Sequence, residues 1–514
     1  MKTNLLKEEF MKTIGVIDIG SNSMRLVLAR INDKGYLRIF DELKEFVRLG
    51  QDLSETGELD MNRVNHAVDV LRFFKSICDA NDTDEIIAVA TAAVRNAPNS
   101  KEFIDRVLKE AGISIKIISG TEEAYYDYFS TVNSIDILDC IIMDIGGSST
   151  ELIHVQDRKL INSISIPMGA ISLCQEFQLE NLVTQDNSKE LNDFIYNNYH
   201  NVSWLKEVKD VPLIAIGGTA RNIGKIDKKF KNFPLDITHR YSMNFNDLKS
   251  IYDTVINSDL KKRKKIKGLS KDRADIFPGA VAAIYNLMEY LDLEELIISG
   301  RGVREGLLYE YLNKDQVVPD VLEYSLTTML TNHNMRPSHG NDIWNLSKKL
   351  FDDLRPIHNI ESEVNDVDVN KVLKTAAYLH DVGISTSYYD HHKHSFYIVI
   401  NTNLNGLTQK EFLMAAYTTS LHRKDEFRID KSHYKSVIND EDINIITKLG
   451  ILLRISEQLD RRGNKNIKEL SCTIKEDLAI IKVIAKEDPS IEINNAMTCA
   501  GDFEKLYGKK LIIV

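Results

Sequence analysis

Two short stretches carry a carboxylate where an ordinary buried strand would carry another aliphatic side chain. In TIGVIDIGSNSMRLVLAR (residues 13–30) an apolar run ends on Asp18, passes through Gly-Ser-Asn-Ser and turns apolar again. In CIIMDIGGSSTELIHV (residues 140–155) the same pattern ends on Asp144. A carboxylate at a strand end is suited to a divalent cation or its waters. Glycine admits close backbone approach, and the N–H groups of such a turn form a nest for an anion. The candidate anion ligands are Ser21, Asn22 and Ser23 in the first turn and Gly146, Gly147 and Ser148 in the second. Two further glycine turns follow apolar strands: VPLIAIGGTARNI (residues 211–223), with Gly217, Gly218 and Thr219, and ELIISGRGVREGLL (residues 295–308). One glycine turn alone is a weak signal; four in one chain, two of them led by Asp, point to phosphate binding.

Other groups suit the same chemistry. ISGTEEAYY (residues 118–126) follows a strand-like ISIKII and opens a helix, which puts Glu122 and Glu123 in its first turn, where acidic residues are favoured in any case. Arg95 follows the strand in AVATAAVRNAPNS, and KKRKKIKGLSKDR (residues 261–273) is the densest basic run, a solvated face that also suits the guiding of a long polyanion.

These residues need a scaffold that brings distant turns together. Asp18 and Asp144 lie 126 residues apart, too far for a solenoid period of about 20–50 residues, so the repeat predicts two related α/β domains facing each other across a cleft. The C-terminal third changes to long amphipathic helices. His339 shares a helical face with Ile343, Leu346, Leu350 and Leu354; His380 shares one with Val369, Leu373 and Ala376, and Asp381 follows it; Asp460 continues the face of Leu449, Leu452, Leu453 and Ser456. Three inward faces therefore each end on a potential metal ligand, with His391, His392, His394 and His422 between them. Residues 465–514 alternate short apolar runs with a helix and read as a small α/β tail.

The chain has 514 residues, 43% hydrophobic and 27% charged, enough for about three domains. No window approaches about 18 uninterrupted apolar residues, so the expectation is a cytoplasmic protein with no membrane partner. Five scattered cysteines without a C-x-x-C pair argue against a disulfide framework or zinc knuckle. A formal charge of −11 repels nucleic acid on average, and a phosphate-rich partner must be held by local basic groups.

The segments DIGSNS, ISGTEEA, DIGGSSTEL, IGGTARN and GRGVREGLL, in this order and spacing, resemble the exopolyphosphatase/guanosine pentaphosphate phosphohydrolase (Ppx/GppA) family over residues 12–310. The family's usual DIGGGS has Ser148 in place of its third glycine here. The resemblance implies an α/β fold of two ribonuclease-H-like domains of the actin and sugar-kinase superfamily, residues 1–135 and 136–312, with the active site between them. It implies Glu123, directly before Ala124, as catalytic base with Glu122 in reserve; Mg²⁺ at Asp144 and Glu151, with Asp18 the corresponding acid; and Arg95 against the phosphate chain. The order His339, His380-Asp381, Asp460 resembles the HD phosphohydrolase domain, which implies an all-α domain over residues 313–464 and a second divalent metal, followed by the tail at 465–514. The implied activity is release of terminal orthophosphate from inorganic polyphosphate by a homodimer. The alternatives are hydrolysis of guanosine pentaphosphate, chemistry in the HD-like site, or a non-catalytic sensor of polyphosphate or alarmone.

Overall fold

The computed structural model describes residues 10–51, 53, 57–423 and 428–514. The chain divides into two compact units, one ending at Pro319 and one beginning at Asp320.

The N-terminal unit holds two sheets built on one plan. In the first, β1 (Phe10–Ile19), β2 (Met24–Asn32) and β3 (Leu37–Glu45) form an antiparallel meander, and β4 (Glu85–Ala90) and β5 (Ile115–Ile117) add in parallel beside β1, giving the order β3-β2-β1-β4-β5. The second repeats it with β6 (Cys140–Ile145), β7 (Thr150–Gln156), β8 (Lys159–Ile166), β9 (Leu213–Ile216) and β11 (Glu295–Ile298), and β10 (Tyr241–Asn244) closes the edge antiparallel to β11. The predicted duplication is therefore a duplication of topology. The central strands are buried on both faces, which explains the unbroken aliphatic runs: Ile14, Val16 and Ile17 in β1, and Ile141, Ile142 and Met143 in β6, have no exposed surface.

Two helices cross between the sheets' domains of sequence. Val303–Asn313 follows the second sheet in the chain, yet its Val303, Leu307 and Leu308 pack with Ile14, Val16, Val27 and Ala29 of the first. Tyr126, from helix Gly120–Val132, joins the same cluster. At Gly306 the two helices come so close that a Cβ would sit 2.1 Å from the Tyr126 carbonyl oxygen, and only glycine fits. The other face of the first sheet is covered by helices Met61–Ala80 and Ser100–Ala111 through Leu71, Phe74, Phe103 and Val107. The second sheet packs on the nearly all-apolar helix Phe277–Leu291.

The C-terminal unit is mainly helical, as the amphipathic pattern predicts. Helices Pro337–Asp353, Val369–Leu379 and Asp440–Leu459 meet through Ile343, Ala376, Ala377 and Leu453. Helices His391–Ile400 and Gln409–Ser420 lie between them in sequence. The tail is a three-stranded sheet of Ile467–Ile474, Leu478–Ala485 and Lys510–Ile513, with helices Ser490–Met497 and Ala500–Tyr507 inserted before the last strand. All five cysteines are free thiols. No helix among the described residues is long and apolar enough to cross a membrane.

Candidate active site

The two strand–turn–strand motifs are equivalent hairpins. Gly20 N–H donates to Ser23 O at 3.2 Å, and Gly146 N–H donates to Ser149 O at 2.9 Å. The turns, with those at Gly217 and Gly300, surround one cavity of about 130 Å³ in the N-terminal unit. Of the residues singled out from sequence, Asp18, Ser21, Asn22, Ser23, Glu123, Asp144, Gly146, Gly147, Gly217 and Gly218 line it. Gly217 has φ +90, and a Cβ there would lie 2.6 Å from Asp144 Oδ1, so the third turn requires glycine both for its backbone and for the space it leaves the carboxylate.

The remaining candidates sit outside the lining, and each has a visible occupation. Glu122 is the partner in a capping box: its amide donates to Ser119 Oγ at 3.1 Å and its Oε2 accepts from Ser119 N–H at 2.8 Å. Lys116, at 2.7 Å, and the Ser119 amide hold the Glu122 carboxyl down to about 2. Arg95 donates to Ile118 O at 2.9 Å and to Glu123 Oε2 at 3.0 Å, which makes it a holder of the glutamate. Glu151 lies behind Asp144, accepting from Ser165 Oγ at 2.7 Å. Ser148 and Thr219 do not reach the cavity wall; Thr219 is buried in its helix.

Buried carboxyl groups crowd the floor. Burial, then Glu151, pushes the Glu123 carboxyl well above the carboxylate range. Burial and Asp144 do the same to Glu151, and burial and Asp18 to Asp144. A further acid that sequence reading missed joins them: Asp127, fully buried one helical turn after Glu123, raised by burial and then by Asp144. Asp127 makes a side-chain hydrogen bond with Asp144, and Ser149 joins Ser165 at the Glu151 carboxyl. Carboxyls this crowded and buried repel one another's charge, which is why their proton affinities rise together. Among the described residues, Asp18, Asp144 and Glu151 do not bring three ligand atoms within 4.8 Å of one another, so these carboxylates alone do not form a closed cage.

Cationic groups share the lining with these acids. Arg25, Arg221, Arg273, Arg301 and Arg304 all line the cavity. Burial, then Arg221 and Arg304, lowers Arg25 to about 9, and burial, then Arg221, lowers Arg273 to about 10. Arg304 is held by Glu42 at 2.8 Å, whereas no ion pair or hydrogen bond engages the guanidinium of Arg221, Arg273 or Arg301 among the described residues. Five guanidinium groups gathered in one buried site, three of them without a direct ion pair among the described residues, suit a bound anion. Arg273, the last residue of the basic run read from sequence as a solvated face, is thus a wall residue, and its guanidinium lies against Gly218. The basic run before it behaves the other way. Arg263 is fully buried and donates to the carbonyls of Leu179, Glu180, Ala274 and others as an internal strut, leaving only the flanking lysines exposed. A signal for the missed arginines exists: an arginine follows three of the four glycine turns within a few residues, Arg25 after the first, Arg221 after the third, and Arg301 and Arg304 after the fourth. Asp127 had the signal of i, i+4 spacing from Glu123.

In the C-terminal unit, His339, His380 and Asp381 offer donor atoms within 4.8 Å of one another, and Asp460 Oδ2 lies 3.4 Å from His339 Nδ1. All four predicted ligands are brought together there. His391 and His422 join from the other side of Asp381; His392 and His394 do not belong to the set.

Twin sheets of one topology, facing a shared cavity through glycine hairpins, define an actin-like fold for binding a phosphorylated ligand. The chain belongs to the Ppx/GppA phosphatase family: the family model matches residues 27–315, and that of Ppx/GppA phosphatase domain III matches residues 321–496. It is a hydrolase of phosphoanhydride bonds. The chain is similar to the guanosine-5'-triphosphate,3'-diphosphate pyrophosphatase of Vibrio cholerae, 26% identical over 77% of this chain and 78% of that one, and to that of Aeromonas salmonicida, 25% identical over 86% of each. The crystal structure of the Aquifex aeolicus Ppx/GppA family member is 28% identical with a TM-score of 0.51, over 59% of this chain and 99% of that one. An exopolyphosphatase from Cytophaga hutchinsonii shares the fold, with 23% identity and a TM-score of 0.56 over 59% of this chain and 99% of that one.

Proposed function

We propose that the N-terminal cavity hydrolyses the terminal phosphoanhydride bond of inorganic polyphosphate and releases orthophosphate. The observation that carries this reading is the lining itself: five arginines and four glycine turns, and no aromatic side chain among the described lining residues to stack a base. In this reading the turn amides and the arginines hold the chain's oxygens, and the crowded arginines lose their mutual repulsion when a polyanion arrives. Glu123, buried with a raised proton affinity and aimed by Arg95, takes a proton from the attacking water. The water oxygen bonds to the terminal phosphorus as the bridging P–O bond breaks. The crowded carboxyls of Asp127, Asp144 and Glu151 suit Mg²⁺, a hard cation that keeps several of its waters and therefore does not need a closed carboxylate cage. When bound, Mg²⁺ neutralises phosphate oxygens and the charge that develops on the leaving phosphate.

A second reading has its own support. The relatives that align along most of both chains are named guanosine-5'-triphosphate,3'-diphosphate pyrophosphatases, and the same cradle accepts the 5'-phosphates of a nucleotide. Orthophosphate release from long-chain polyphosphate and from guanosine pentaphosphate, measured in parallel with Mg²⁺, separates them. A kcat/KM at least tenfold higher for polyphosphate is expected; the reverse preference replaces the first reading by the second.

A further inference from the structure

Arg48 does not line the cavity, yet it touches two of the elements that build it. It follows β3, in the segment 46–50 that returns to the first glycine turn. The Arg48 amide donates to Asn22 O at 3.0 Å and the Gly50 amide to Ser21 O at 2.8 Å, so the main chain lays this segment along the turn. The fit is tight at Gly50, where a Cβ would lie 2.8 Å from Ser21 Cβ and 3.0 Å from Ser148 Oγ of the second turn. Arg48 itself has φ 53, in the left-handed region that an arginine rarely adopts. Such a conformation persists where its surroundings over-determine it.

The side chain of Arg48 reaches the segment before helix Phe277–Leu291, which packs on the second sheet. Its Nη1 lies 2.6 Å from Asp275 Oδ2, and its Nη2 donates to Asp272 O at 3.0 Å. These two partners bracket Arg273, whose guanidinium lines the cavity. Arg273 needs such a hold. Burial, then the charge of Arg221, acts against its guanidinium, so the contacts that fix it must come from the main chain beside it and from its neighbours. The Arg48–Asp275 pair is partly exposed, with side chains 29% and 15% accessible, and a pair of that kind adds little to stability. What a two-pronged guanidinium contact supplies is direction.

We propose that Arg48 is a positioning residue for hydrolysis in this cavity: it holds Arg273 and the first glycine turn in one frame, so that both reach the same phosphoryl group. Arg48 acts through Arg273 and makes no contact with the substrate. The inference rests on the N-terminal cavity being the hydrolytic site, and it applies to either substrate considered above.

The test is a double-mutant cycle on the full chain, with orthophosphate release measured for long-chain polyphosphate and for guanosine pentaphosphate. Arg48→Ala and Arg273→Ala are each expected to raise KM about tenfold, with kcat changed by less than about threefold. The double variant is expected to stay within about threefold of Arg273→Ala alone, because the holder then has nothing to hold. Arg48→Lys, whose single ammonium cannot grip both partners, is expected to behave as Arg48→Ala does. A KM about a hundredfold above wild type in the double variant shows two independent contacts and overturns the proposal. Wild-type KM in Arg48→Ala or Arg48→Lys beside a raised KM in Arg273→Ala overturns it alone, as does a loss confined to kcat; wild-type KM in Arg273→Ala overturns both this proposal and the cavity's role. Should circular dichroism show that Arg48→Ala does not fold, Arg48→Lys takes its place in the cycle. Which substrate the wild type prefers decides between the two readings of function, whereas the cycle, run on the preferred substrate, decides the role of Arg48.

Discussion

Asp144 stands opposite Glu151 across the β6–β7 hairpin at the register position where the first lobe sets Asp18 opposite Arg25 across β1–β2. One duplicated hairpin thus sets a carboxylate against a carboxylate in the second lobe and a carboxylate against a guanidinium in the first.

Glu123→Gln is expected to lower kcat for orthophosphate release by about 10²–10⁴-fold with little change in KM, because the amide keeps the contact with Arg95 but takes no proton. Glu122→Gln is expected to stay within threefold of wild-type turnover, while Glu122→Ala costs about 1 kcal/mol in denaturant unfolding through loss of the capping box. Equal loss of turnover in both glutamine variants would falsify the assignment of roles.

Arg221→Ala and Arg273→Ala are each expected to raise KM for polyphosphate about tenfold and to flatten its dependence on ionic strength, since each removes a charge-assisted contact. Thermal melting without substrate should show the reverse sign, with both variants at least as stable as wild type because the remaining arginines repel less. A variant with lower KM contradicts the anion wall.

Removal of divalent cations with a chelator is expected to abolish orthophosphate release, and added Mg²⁺ to restore it. Asp127→Asn is expected to raise the Mg²⁺ concentration for half-maximal rate about tenfold or more, since it replaces a buried carboxyl bonded to Asp144. An unchanged Mg²⁺ requirement in this variant would remove Asp127 from the cation site.

Gly306→Ala drives a methyl group into the Tyr126 carbonyl, and backbone cannot yield as a side-chain tip does. The expected cost is about 1–3 kcal/mol, together with reduced kcat because helix Gly120–Val132 carries Glu123. Wild-type stability and turnover in this variant would show that the helix pair tolerates separation.

His239 gives a pH dependence. Its Nε2 faces Ser134 O at 3.3 Å and its Nδ1 accepts from Gly300 N–H at 3.1 Å, bracing the fourth glycine turn. Burial, then Arg301, lowers the ring to about 3. A group whose folded value lies below its unfolded value of about 6.5 contributes its full stability above that pH and loses it as the pH falls toward the folded value. The loss between pH 7 and 5 is about 2 kcal/mol for this ring. Urea unfolding of wild type and His239→Gln at the two pH values should show a shallower decline in the variant; parallel declines exclude the histidine as the cause.

Much of the site was legible because the relevant signals are local. A strand that ends on Asp before a glycine turn betrays itself by breaking an aliphatic run, and the recurrence of that break at Asp18 and Asp144 disclosed the duplicated sheets. The same holds for the C-terminal helices, whose faces of period 3.6 end on His339, His380 and Asp460 and which do converge. Glu122 and Glu123 show where local signals stop. Both suit a helix start, and only the turn of the helix assigns one to the cap and the other to the cavity.

What the tertiary structure alone decided is convergence. Arg25, Arg221, Arg273 and Arg301 come from four separate elements, and no local pattern states that their charges meet. Arg263 and Arg273 belong to one basic run, yet burial makes the first a strut for carbonyls and the second a cavity wall. Asp127 reads as an ordinary helical residue until the fold buries it against Asp144 of the second lobe. The amino-acid sequence by itself determined the strands, the turns and the carboxylates, because those follow from neighbours in the chain. Which charges share a low-dielectric space, and so which act together, depends on packing between residues far apart in sequence.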